Sequence, residues 1–259
     1  MRIRRIAQSG CCLIGASLLA ACASSSARTT PSPEFDAHDP LSPTRLMEQG
    51  YTLVSQKRVD EGLKRYNDAL RLQPKNPVIH NLIGVAELQR GNAAKALDAF
   101  NRALALAPSY ADARNNRGTA YVRLGQYAMA ETDFFAVLAD PTYANRSGAY
   151  FNLGSLYLGR GNLAAAEENL RRAAVPSGPI EAYLLLGQVQ ERLGKAALAE
   201  STYREAVARA PERPEVALAL GRVLEAQGRV NEAREIYRKI LELAPDSPEA
   251  AQVRGKVGH

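Results

Sequence analysis

The chain has 259 residues, no tryptophan, three cysteines and a formal charge of +6; 46% of its residues are hydrophobic and 6% aromatic. That length and apolar content allow one or two folded domains. The cysteines all lie in the first 22 positions, which excludes a disulfide framework in the body, and three of the positive charges are Arg2, Arg4 and Arg5, leaving about +3 (6 − 3) elsewhere. Such a balance, without a basic stripe interleaved with aromatics, excludes a nucleic-acid-binding surface.

Residues 1–21 combine a basic end with the apolar run Cys11–Ala21, "CCLIGASLLAA". Eleven apolar residues suit a signal-peptide core and are too few to span a bilayer as a helix. Leu19-Ala20-Ala21-Cys22 resembles the lipobox of bacterial lipoproteins. The resemblance implies cleavage before Cys22, a lipid (palmitate) anchor on that residue and, with Ala23 rather than Asp after it, sorting to the periplasmic face of the outer membrane. Cys11 and Cys12 would leave with the signal peptide. Residues 22–44, rich in Ser, Thr, Pro and Ala, hold only Phe35 and Leu41 as large apolar side chains. Such a segment buries too little surface to fold alone, so it reads as a flexible tether.

The body, residues 45–246, repeats. Gly50, Gly84, Gly118, Gly154, Gly187 and Gly221 are separated by 34, 34, 36, 33 and 34 residues. Seven residues later stand Gly91, Gly125, Gly161, Gly194 and Gly228, with Lys57 in the first unit. Twelve residues after the first glycine comes a small residue (Gly62, Ala96, Ala130, Ala166, Ala199, Ala233). Four further on comes a bulky one (Tyr66, Phe100, Phe134, Leu170, Tyr203, Tyr237). Pro74, Pro108, Pro211 and Pro245 close four units. Ser42-Pro43, Asn76-Pro77 and Ser247-Pro248 are helix starts, a capping side chain followed by proline at the first helical position. The pattern predicts two helices per unit. The first glycine allows close approach, the second ends the first helix, and the bulky residue fills the gap between the helices. Residues 247–259 read as a capping helix and tail.

This pattern resembles the tetratricopeptide repeat, a 34-residue helix–turn–helix unit. The resemblance implies an all-α fold, a right-handed solenoid of six repeats in one continuous array. It also implies a concave face lined by the second, fifth, ninth, twelfth and thirteenth positions of each first helix. In units 1 to 4 these positions include Met47, Tyr51, Val54, Val78, Val85, Leu88, Val122, Phe151 and Leu158. In units 5 and 6 they include Glu181, Glu191, Arg192, Glu215, Arg222 and Glu225. The front half is apolar and the back half charged. Asn81, Asn115, Asn116 and Asn152 are placed to offer amide hydrogen bonds to a bound backbone. Two readings stand: an apolar trough for an amphipathic helix of a partner, or side chains packed on neighbouring helices or on the tether.

Nothing in the sequence assembles a catalytic or metal site. His38, His80 and His259 are scattered, Glu167 and Glu168 are adjacent and so point to different sides of a helix, and no strand–turn–helix context supports a nucleophile. No cofactor and no small-molecule substrate are expected. The partner is a polypeptide. An outer-membrane lipoprotein of six such repeats resembles the pilotins of type IV pili. The end of the 36-residue interval between Gly118 and Gly154, "LADPTYANRSGAYFNLG", residues 138–154, resembles that family's stretch of Asp-Pro-x-Tyr followed by Asn-x-Gly. The resemblance implies escort of secretin subunits to the outer membrane and help in assembling the pilus pore. Two other roles stay open: an adaptor docking peptidoglycan synthases or hydrolases, and a substrate-presenting subunit of an enzyme complex.

Overall fold

The computed structural model describes residues 42–257; the predicted signal peptide, Cys22 and nearly all of the tether lie outside them. Helices α1 (Pro43–Ser55), α2 (Val59–Leu72), α3 (Pro77–Arg90), α4 (Ala93–Leu106), α5 (Ala111–Arg123) and α6 (Tyr127–Leu138) are followed by a seven-residue connection. After it come α7 (Arg146–Gly159), α8 (Leu163–Ala173), α9 (Ile180–Arg192), α10 (Ala196–Arg209), α11 (Pro214–Ala226), α12 (Val230–Leu243) and the short α13 (Pro248–Val253). The fold is all-α among the described residues. The chain divides into two compact units, one ending at Asn145 and one beginning at Arg146. The division falls in the irregular 36-residue interval.

Local rules place the helix ends. Ser42, Asn76 and Ser247 each accept a backbone N–H of the first turn through the side chain, with Pro43, Pro77 and Pro248 following. Gly91, Gly125, Gly161, Gly194 and Gly228 close first helices at φ between 72° and 88°. Lys57, at the same place in the first pair, is held at φ 64°. A side chain there is strained by about 1 kcal/mol, so Lys57→Gly should raise stability. The greater freedom of glycine in the unfolded chain offsets part of that gain. A thermal midpoint about 2–4 °C higher is expected, and Lys57→Val should lower it.

Consecutive helices pair as antiparallel hairpins, α1 with α2, α3 with α4 and α5 with α6 in the first unit, α7 with α8, α9 with α10 and α11 with α12 in the second. Each hairpin is plugged by its bulky residue. A Cβ built on Gly50 would lie 2.5 Å from a ring carbon of Tyr66, and one on Gly221 would lie 2.2 Å from Tyr237. Phe100 and Phe134 fill the hairpins at Gly84 and Gly118 in the same way. Tyr66, Phe100, Phe134, Leu170, Tyr203 and Tyr237 are all buried, each contributing about 1.5–3 kcal/mol.

The hairpins stack in chain order within each unit, α2 on α3 and α4 on α5, then α8 on α9 and α10 on α11. First helices also touch one another, α3 with α5 and α7 with α9. The connection after α6 is built rather than slack. The Asp140 carboxylate accepts the Thr142 amide (2.8 Å) and hydroxyl (2.6 Å), and Tyr143 folds back so that its hydroxyl donates to Asp112 on α5 at 2.9 Å. Burial, then the Asp112 carboxylate, push the Tyr143 phenol far above its usual range. The Asp-Pro-x-Tyr stretch therefore anchors the end of the first unit.

Candidate functional site

In the first unit the positions that the sequence reading assigns to a trough lie on α1, α3 and α5. Met47, Val78, Val85 and Val122 are partly exposed, and the Tyr51 ring is open to solvent. These five give an apolar, uncharged set of side chains on three successive first helices. A shallow cleft between α1 and α2, lined by Arg45, Glu48, Arg58, Glu61 and Lys64, is of another kind. Arg58 pairs there with Glu61 at 2.6 Å and Arg45 with Glu48 at 3.8 Å, so most of its lining is charged.

Other expected trough residues are not on the surface. Leu88 is fully buried among Ala93, Ala96, Phe100 and Ala120. Val54 is buried in the first hairpin, where a Cβ on Gly62 would lie 2.4 Å from its Cγ2. Phe151, in the second unit, is buried with Ala166, Leu170 and Leu186; Leu158 is half-buried beside the same cluster. At the twelfth position of their first helices Val54 and Leu88 pack inward, whereas Val122 and Leu158 at the same position stay partly exposed. Asn81 and Asn115 are buried as well. Asn116 donates to the Asn81 carbonyl at 3.0 Å, and Asn81 donates to the Tyr110 hydroxyl at 3.3 Å. The amides of Asn81 and Asn116 thus tie α3 to α5 rather than wait for a ligand. Asn152 on α7 is half-buried.

The charged back half is likewise engaged within the chain. Tyr203 donates to Glu191 at 2.6 Å and Tyr237 to Glu225 at 2.8 Å. Glu181 and Glu215 share Arg213, at 2.7 and 2.5 Å. Arg222 donates to Gln252 at 2.6 Å, and Lys256 pairs with Glu225 at 2.5 Å, so the C-terminal segment covers this end of α11. Arg192 is exposed. The sequence carries a signal for the phenol–carboxylate pairs. Glutamate occupies the twelfth position in units 5 and 6, where the plug is tyrosine, and Leu88, Val122 and Leu158 occupy it where the plug is Phe or Leu. Tyr66 over Val54 is the exception.

The Lys256 hydrogen bond is the main cause holding the Glu225 carboxyl below its ordinary 4.5; burial opposes it and the Tyr237 hydroxyl adds to it. A carboxyl depressed on folding stabilises fully above its unfolded value, and that stabilisation is lost as pH falls through the folded value. Acidification below pH 4.5 should therefore loosen the C-terminal segment first. Amide-exchange protection at α13, relative to the intrinsic exchange rate at each pH, is the measurement, and Lys256→Met should lower that protection and remove its change with pH in the same window.

Among the described residues no three His, Cys, Asp or Glu side chains gather as metal ligands. Helical hairpins of this length, plugged at a glycine and stacked in chain order, define the helical-repeat class of binding scaffolds. The tetratricopeptide-repeat family profile matches residues 47–111 and 184–248, half of the chain, and related repeat profiles match 99–132 and 147–174. The chain belongs to the tetratricopeptide-repeat family.

Among curated proteins it is 39% identical over 75 residues to the lipoprotein NlpI homolog of Haemophilus influenzae, covering 28% of this chain and 24% of that one. The chain thus spans about a quarter of that relative's length. Among solved structures it is similar to PilW, a widely conserved type IV pilus biogenesis factor, with a TM-score of 0.69 and 23% identity over 82% of this chain and 97% of that one. It is also similar to PilF of Pseudomonas aeruginosa, with a TM-score of 0.66 and 17% identity over 83% and 97%. At such identities the shared property is the fold.

Proposed function

We propose that this protein is a pilotin: a lipoprotein held at the periplasmic face of the outer membrane through Cys22, which brings secretin subunits there and promotes their assembly for type IV pilus biogenesis. The observation that carries the reading is the coverage of PilW and PilF. This chain spans 97% of each, a match of whole bodies rather than of one or two repeats. The basic, apolar and Leu-Ala-Ala-Cys segments before Cys22 supply the anchor, and the lipoprotein relative in Haemophilus influenzae favours it. Met47, Tyr51, Val78, Val85 and Val122 are the seat for an apolar segment of the secretin. Its burial there removes surface that would otherwise aggregate. No bond is made or broken: the lipid fixes the place and the hairpins fix the shape.

Deletion of the gene is the test. Detergent-resistant secretin multimers at the outer membrane should disappear, and the full chain carrying Cys22→Ser should restore few of them. Multimers at the wild-type level in the deletion strain would overturn the reading.

A further inference from the structure

The first hairpin has an open side. Where α3 sets Ile79, Ile83 and Ala86 against the core it shares with α2, α1 carries Arg45, Gln49 and Thr52 at the matching places. No helix precedes α1 among the described residues. With α2 these side chains line the cleft of about 650 Å³ described above, where Arg45, Arg58, Lys64 and Arg65 outnumber Glu48 and Glu61. Arg58 and Glu61 satisfy each other, but the remaining cations are loosely held. Lys64 is exposed and has no ion pair among the described residues. Arg45 meets Glu48 only at 3.8 Å, and Arg65 meets Asp68 at 3.6 Å. From Pro43 to Asn76 seven lysines and arginines stand against four acids, the largest cationic excess of the six hairpins. Leu53, half-buried, adds an apolar floor. Such a cleft fits an anionic segment with some apolar character.

We propose that the occupant is the chain's own residues 34–41, "EFDAHDPL", which lie outside the described residues and fold back along α1 as a clasp. Three observations single out this segment. The first is charge: it carries Glu34, Asp36 and Asp39 with no lysine or arginine, against the excess of cations in the cleft. The second is attachment. Ser42 is buried and its side chain accepts the Arg45 amide, so the chain leaves the body within one turn of the cleft. The third is reach. Eight extended residues cover up to about 27 Å, more than the roughly 20 Å length of a 13-residue helix such as α1. Gly62 lies against Gly50, so Lys64 and Arg65 stand beside the first half of α1, level with the residues that Asp39 reaches first. Phe35 and Leu41, the large apolar residues of the tether, travel with the acids and can cover Leu53. Single exposed ion pairs are weak, but a segment joined directly to its site is present there at about millimolar effective concentration. The clasp is therefore reversible and sensitive to salt. With an anchor at Cys22 it leaves residues 23–33 as the free leash and roughly halves it. It does not depend on the pilotin reading, since it uses the open side of the first hairpin and not the trough.

The test is the rate at which chymotrypsin cuts after Phe35 in the full chain, in detergent-solubilised membranes of cells making it, with the product identified by mass. At low salt Lys64→Glu should speed the cut about fivefold or more with unchanged helicity, and Asp39→Lys should do the same. The double variant, with the two charges exchanged, should return to the wild-type rate. About 0.5 M sodium chloride should speed the cut in the wild type and leave Lys64→Glu little changed, because screening then acts within a few ångströms. Should Lys64→Glu lower the helicity, Arg45→Glu, also at an exposed position, replaces it. Equal rates for the wild type and Lys64→Glu at low salt would overturn the proposal, as would a double variant cut as fast as the single ones. Protection of Phe35 seen in phosphatidylglycerol vesicles but not in detergent would assign the cleft to a lipid surface and overturn it too.

Discussion

Leu88→Glu should unfold the first unit. The leucine has no exposed surface and its neighbours are Ala93, Ala96, Phe100 and Ala120, with Val85 and Leu97 beside them. The substitution forfeits the packing of a buried leucine and places a carboxyl among apolar side chains. The two effects together cost about 5 kcal/mol or more, comparable to the whole stability of a small domain. Burial raises the pKa of the new carboxyl above its unfolded value. The protein should therefore be least stable at neutral pH and recover part of the loss as pH falls towards 5, where the neutral acid is the form buried. Urea unfolding followed by circular dichroism is the measurement. Val85→Glu is the companion: Val85 is partly exposed, so the charge can reach water and the loss should stay below about 2 kcal/mol. If Leu88→Glu unfolded at the wild-type urea midpoint, the side chain would face solvent, as the sequence alone suggests for that position.

The contrast between Leu88 and Val85 locates what a sequence of this kind makes legible. The register of glycines, small residues and plugs is local steric logic: a hairpin closes only where Gly84 leaves room for Phe100, and Asn76-Pro77 starts a helix whatever lies beyond it. Those features were readable, and so was the number of hairpins. The facing of individual trough positions was not, because it depends on how far each first helix leans on the next. Asn81 became a tie to Asn116 and Tyr110 only because α3 touches α5. The charges of units 5 and 6 looked like a polar half of a groove, yet Glu191 and Glu225 cap tyrosine plugs and Glu181 and Glu215 hold Arg213. The irregular interval was visible as two extra residues; that Tyr143 uses them to return to Asp112 was not.

Arg117→Met should destabilise the first unit by about 3–5 kcal/mol. The guanidinium of Arg117 on α5 makes a two-pronged contact with Asp133 on α6, both hydrogen bonds at 2.8 Å, and a third bond to Asn101 on α4 at 3.0 Å. It also lies 5.7 Å from the centre of the Tyr121 ring. Asp133 is buried, its side chain only 6% exposed, so removing the cation leaves a carboxylate with neither water nor a counter-charge. The penalty comes from that orphaned charge and not from the worth of the pair, which its own desolvation largely offsets. Replacing both partners, Arg117→Met with Asp133→Leu, should therefore recover most of the loss, with the bond to Asn101 still missing. Urea midpoints of the wild type, the two single variants and the double variant measure the coupling, and a double variant as unstable as Arg117→Met alone would refute this account. Arg117 and Val122 lie on the same helix, so an α5 loosened by Arg117→Met should weaken the partner binding proposed for that face, and the double variant should restore it together with stability.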